Sequence, residues 1–229
     1  PAFPPDKPPS WISFSPTGSL DHAAPAVSAL RARQIPLVRE VDVAAKRLAD
    51  SGRVRWKRDP LDWFDFRVPN SFDIERPAEI DEPSPGAWRL PVTDDRTGIF
   101  VTFEFTEQIV GFPYFEIDAP AGTVVELMTQ EAHEPQTAPW MDNHFYAWSR
   151  FVCREGVNRF EALDYESLRW LQLHVRGAHG PVTVRNVGVR RRLFPWPHEP
   201  AIRCSDPALQ RLFDASVNTL YNSAIETVV

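Results

Sequence analysis

The stretch from Thr97 to Glu134 constrains the fold more than any other. Ile99, Val101, Phe103 and Phe105 recur at every second position, with Thr102, Glu104 and Thr106 between them and beyond. Successive strand side chains point to opposite faces, so this alternation predicts a half-buried strand. A second run, Val110 to Asp118, is rich in the aromatic and β-branched residues that suit a pleated surface. Ala119-Pro120-Ala121-Gly122 then reads as a tight reversal, because Pro presets φ and Gly accepts a positive φ. Thr123 to Met128 resumes the pattern. The stretch predicts a meander of consecutive antiparallel strands, with Ile99, Val101, Phe103, Phe115, Ile117 and Leu127 in the core.

Composition supports a β-rich globular chain. The 23 prolines among 229 residues disfavour an all-helical fold and favour loops and strand ends. Eight tryptophans and fifteen phenylalanines can fill a sandwich core or a sugar-binding face. The net charge of -6 argues against nucleic acid or an anionic membrane as a partner. Two cysteines, Cys153 and Cys204, are too few for a disulfide framework and read as buried free thiols. No apolar run approaches the roughly 20 residues of a membrane span. The first residues, Pro1 to Pro5, lack the basic-then-apolar pattern of a signal peptide.

Taken in order, Pro1 to Pro25 reads as an extended arm anchored by Trp11, Ile12 and Phe14, followed by a short helix over Val27 to Arg33. Val41, Ala44, Ala45 and Leu48 stand at helical spacing, which predicts a helix over Arg39 to Ser51 ended by Gly52. Arg53 to Arg58 reads as a surface strand, Leu61 to Phe66 as an aromatic cluster, and Phe72 to Pro91 as loop with short extended pieces. Glu131 to His144 is a long polar and aromatic loop. Strands are expected over Phe145–Arg154, Arg159–Leu163, Leu171–Gly177 and Val182–Arg192. Short strands with turn signals and no intervening helices mean a sandwich. Beyond the stiff linker Pro195 to Pro200, Ser205-Asp206-Pro207 starts a helix with a capping hydroxyl, an acid and a first-turn Pro. Its stripe of Leu209, Leu212, Phe213, Ser216, Leu220 and Tyr221 is expected to pack on later helices, with the sandwich covering only Cys204 to Leu209.

Few constellations carry chemistry. Glu131-Ala132-His133-Glu134 has ligand types without metal-site spacing, so neither metal nor cofactor is read. Trp140, Asp142, Asn143 and His144 combine a flat apolar face with directed hydrogen bonds, the chemistry of a sugar contact, or they cap the sandwich. Arg190-Arg191-Arg192 reads as a solvated strand edge. The pairs Glu104/Glu107 and Glu116/Asp118 read as surface acids rather than a catalytic pair.

Gly111 to Glu131, with its Ala119-Pro120-Ala121-Gly122-Thr123 turn, resembles the sandwich that precedes the barrel in bacterial α-L-rhamnosidases of glycoside hydrolase family 78. Gln34 to Glu40, Phe160 to Gly177 (with Leu168-Arg169-Trp170-Leu171-Gln172-Leu173) and Ile202 to Leu209 are similar to further parts of that family. The resemblance implies a concanavalin-like or jelly-roll antiparallel β-sandwich followed by the first helix of an (α/α)6 barrel. The implied organisation is an arm with short helices over 1–60, a sandwich over 61–194, a linker over 195–202 and the start of a helical catalytic domain over 203–229. It also implies a bacterial hydrolase, in cytoplasm or periplasm rather than membrane, that cleaves terminal α-L-rhamnosides of glycosides or polysaccharides with inversion. The acid and base it requires belong to segments after the helix at Ser205, so no catalytic residue is assigned in this chain. A self-standing carbohydrate-binding or interaction sandwich is the alternative.

Overall fold

Eleven antiparallel strands and one helix account for the regular structure of the described residues, which in this computed structural model are 36–57, 72–137, 148–196, 198 and 201–224. The described residues from Leu37 onward belong to one compact unit. The strands are β1 (Arg39–Ala44), β2 (Arg47–Trp56), β3 (Phe72–Glu75), β4 (Asp81–Ser84), β5 (Ala87–Leu90), β6 (Thr97–Ala119), β7 (Val124–Gln130), β8 (Trp148–Val152), β9 (Gly156–Glu161), β10 (Glu166–Arg176) and β11 (Val182–Leu193); the helix is α1 (Pro207–Ser223).

The molecule is organised around β6, a single strand of 23 residues. Its first half lies between β2 and β10, and its second half between β11 and β9. One layer therefore runs β3-β2-β6-β10-β7-β8, and the other has β11 and β9 around the end of β6, with β4-β5 and β1 beyond β11. The two layers form a β-sandwich whose ladders stay continuous because β6 belongs to both. Rings cross the interlayer space: Trp88 meets Phe103 at 4.7 Å, Phe115 meets Phe151 at 5.6 Å, and Phe151 stacks on Phe160 at 4.4 Å. Ile99, Val101, Phe103, Phe115, Ile117 and Leu127 are all buried in this core, as the alternation predicts.

Tertiary pairing changes several sequence expectations. β6 and β7 do not form a meander; β7 pairs with β10 and β8 instead. The Ala119–Thr123 turn, with Gly122 at φ 85°, carries the chain from one layer to the other. Nor is the start of β6 half-buried, since Thr102 and Glu104 are buried as well as their apolar neighbours. The predicted helix over Arg39 to Ser51 is replaced by β1 and β2, which satisfy their backbone on β11 and β6. Its apolar spacing fits a strand pair equally, and Gly52 sits inside β2, packed against the Phe100 ring. Val54 and Trp56 are buried, so β2 is no surface strand. Arg190-Arg191-Arg192 is not an edge, because β1 and β6 pair both sides of β11 there. The cysteines are free, Cys153 buried and Cys204 only partly.

The helix start is capped by the acid, not the hydroxyl: the Asp206 side chain accepts from Ala208 N at 2.7 Å. None of the helix residues is buried. It touches the sandwich through its end rather than its start, since the Asn218 and Asn222 amides both donate to the Gln108 carbonyl, at 2.9 and 2.8 Å. That carbonyl lies where the β6–β10 register slips between Leu168↔Ile109 and Trp170↔Glu104, leaving Phe105 to Gln108 without ladder partners on β10.

Candidate functional site

The outer side of the second layer carries an open cleft of about 560 Å3, within the range of small-molecule sites. It forms where β11 changes its neighbour. Up to Arg185 the strand pairs with β5; from Gly188 it pairs with β1. Between those positions β11 carries one more residue than β6, a bulge at Asn186-Val187. Asn186 takes the left-handed conformation, φ 51°, which Asn tolerates better than most residues. Its side-chain amide faces the Glu116 carboxylate at 3.4 Å.

Tyr114 lines the cleft beside this bulge. Its phenol end occupies the space that a side chain at position 188 would need: a Cβ there would stand 2.5 Å from Tyr114 Oη. Gly188 is therefore required by close approach. Burial, then Asp42 and Glu161, push the Tyr114 phenol above its ordinary pKa, so it stays a neutral hydroxyl at physiological pH. Glu116 accepts from Arg159 Nε at 2.9 Å, and Arg190 bonds both Glu161 and Glu40. These pairs fix the walls more than they stabilise the fold, because exposed ion pairs contribute little.

A second polar group lies on the outer side of the first layer and is closed to solvent. Glu126 accepts from Arg150 Nε at 2.8 Å and sits 3.1 Å from His174 Nδ1. Burial pushes its carboxyl up, but His174, Arg150 and Arg176 outweigh that and hold it below the usual carboxylate range. Glu104, buried between Arg47 and Arg169, is held low in the same way. Glu104 and Glu116 are thus buried partners of arginines, not the surface acids expected.

Trp140, Asp142, Asn143 and His144, the sugar-contact residues expected from sequence, lie outside the described residues. Sequence reading missed Asp42, Tyr114 and Asn186. The available signal was the slip in apolar spacing along Val184, Val187 and Val189, with Gly188 inside the strand, which marks a bulge. Among the described residues no group of His, Cys, Asp and Glu is arranged to hold a metal ion.

No family model and no curated protein matches the chain. Among solved structures it is similar to the family 78 rhamnosidase of Bacillus sp. GL1, with a TM-score of 0.56 and 28% identity over 64% of this chain. It is also similar to a rhamnosidase from Klebsiella oxytoca solved with rhamnose bound, with a TM-score of 0.55 and 15% identity over 84% of this chain. The matched regions make up 15% and 37% of the length of those two proteins. The structural likeness to family 78 α-L-rhamnosidases that the sequence motifs suggest is thus present in the fold, over part of the chain.

Proposed function

We propose that this chain is the non-catalytic N-terminal part of a larger glycoside hydrolase of the α-L-rhamnosidase type. The observation that carries this reading is the likeness to the Bacillus rhamnosidase, which combines fold and 28% identity over 64% of this chain. The reaction would be hydrolysis of terminal α-L-rhamnosides with inversion. That needs one carboxyl to protonate the leaving oxygen and another, roughly 6.5–9.5 Å away, to activate water. Two buried carboxylates of the sandwich do not suit the acid's role. Glu104 and Glu126 are clamped by arginines and held below their ordinary pKa, the opposite of what a general acid requires. The acid and base would come from helices following α1. In this reading residues 195–202 are a linker, and 203–229 begin a helical catalytic domain whose later helices cover Leu209, Leu212 and Leu220, which are exposed in this chain.

The test is activity. The purified 229-residue chain should leave an aryl α-L-rhamnoside intact, whereas the complete parent enzyme should cleave it. Turnover by this chain that disappears when one of its own carboxylates is mutated overturns the non-catalytic reading. Failure of the parent to release rhamnose overturns the enzyme class. Among the described residues, the cleft beside Tyr114 favours the alternative, a self-standing carbohydrate-binding sandwich.

A further inference from the structure

The lining of the cleft on the second layer separates into groups already engaged and groups left over. Arg190 is committed to Glu40 and Glu161, and Glu116 to Arg159 and Asn186. Asp42, exposed on β1, has no hydrogen-bond or ion-pair partner among the described residues. The same holds for the Tyr114 hydroxyl and for the Asn186 side-chain oxygen. Two of these three are acceptors only, and the third can donate or accept.

We propose that this cleft binds a neutral saccharide, with Asp42 and Asn186 accepting sugar hydroxyls and Tyr114 providing both a hydroxyl and an aromatic edge. The charge of the lining selects the class. Three carboxylates, Asp42, Glu116 and Glu161, face two guanidiniums, Arg159 and Arg190, so an anionic sugar meets net repulsion. A cation gains little, because Glu116 and Glu161 are already neutralised by arginines. A polyol fits, because its many O–H donors match a surplus of acceptors. Backbone features at the same point support a built site over a chance depression. The bulge, the left-handed Asn186 and the glycine demanded by Tyr114 fall within three consecutive residues of one strand, and bulges and positive-φ residues recur where side chains are aimed at ligands. The proposal stands whether or not the parent protein is a rhamnosidase.

The experiment is a titration of the 229-residue chain followed by two-dimensional amide NMR, with L-rhamnose, cellobiose and D-galacturonate as probes. A neutral sugar at millimolar concentration should shift the signals of Tyr114, Asn186 and Gly188 in a saturable way, and galacturonate should bind more weakly. Asp42→Asn and Tyr114→Phe should each weaken the neutral sugar by about tenfold, the loss of one good hydrogen bond. Both changes leave the backbone and the ring in place, so their spectra should otherwise match the parent spectrum. If neither neutral sugar shifts these signals, if galacturonate binds best, or if both variants bind as before, the proposal fails. Rhamnosidase activity of the parent is a separate measurement and is unaffected by any of these results.

Discussion

Arg191 on β11 donates to the Asn218 side-chain oxygen on α1 at 2.7 Å, and with its other amino group reaches Glu107 at 2.6 Å. The same guanidinium reaches Asn222 at 3.1 Å. Because both asparagine amides also donate to the Gln108 carbonyl, the helix is tied to the sandwich by a closed set of polar contacts. Three separate parts of the chain meet there: the β6 bulge, the end of β11 and the last turns of α1. Their geometry sets the angle at which anything following the helix would leave the sandwich.

Replacing Asn218 and Asn222 together by Ala should therefore release the helix while the sandwich stays folded. Losing the two amides leaves the Gln108 carbonyl and Arg191 short of partners, a cost of about 1–3 kcal/mol. Hydrogen exchange should accelerate in 207–223 and remain slow in β6 and β10. Equal loss of protection in both would mean that helix and sandwich unfold as one unit.

Phe103 is wholly buried and packs edge-on against Trp88 across the layers. Phe103→Ala should cost about 3–5 kcal/mol in denaturant unfolding. A loss under about 1 kcal/mol would mean that the interlayer core can close over the missing ring.

Glu126 gives a pH-dependent prediction. Its folded pKa is depressed, so its contribution is fully present above the unfolded value of roughly 4.3 and is lost as pH falls through the folded value. Glu126→Gln should destabilise the protein at neutral pH by on the order of 3 kcal/mol, since Arg150 and His174 lose a buried charged partner. Chemical unfolding at several pH values should show the gap between variant and parent narrowing toward acid. A gap that widens on acidification would mean that the carboxyl is not held low.

Removing residues 203–229 should leave the strand signal in circular dichroism intact, because no residue of α1 is buried and the small side chain of Ala224 is the one buried group among the described residues that is lost. It should also reduce light scattering, because Leu209 and Leu212, 54% and 64% exposed, form an apolar stripe open to association. Loss of the strand signal would show that α1 belongs to the sandwich core.

Legibility followed the range of the interactions. Strands β8 to β11 and the core residues of β6 and β7 were readable, because runs of apolar, aromatic and β-branched residues and the turn signals between them are written in consecutive residues. The helix at Pro207 was readable for the same reason, down to its first-turn proline. The β1–β2 pair was misread, because Val41, Ala44, Ala45 and Leu48 satisfy a helical stripe and two short strands alike, and only the available partners β11 and β6 decide between them. Of the cleft, Gly188 and the slipped valine spacing left a trace; Asp42, Tyr114 and Asn186 come from three distant segments and carry no common motif.

The sequence by itself determined that this chain builds antiparallel strands around an aromatic core and closes with an amphipathic helix. These follow from side-chain periodicity and backbone preference, which act between near neighbours. Only the tertiary structure decided that Thr97–Ala119 is one strand shared by two layers, that Glu104 and Glu126 are buried against arginines, and that β11 bulges open beside Tyr114. Each depends on which strand lies alongside, and strand pairing joins residues far apart in the chain through backbone hydrogen bonds that every residue type but proline can make.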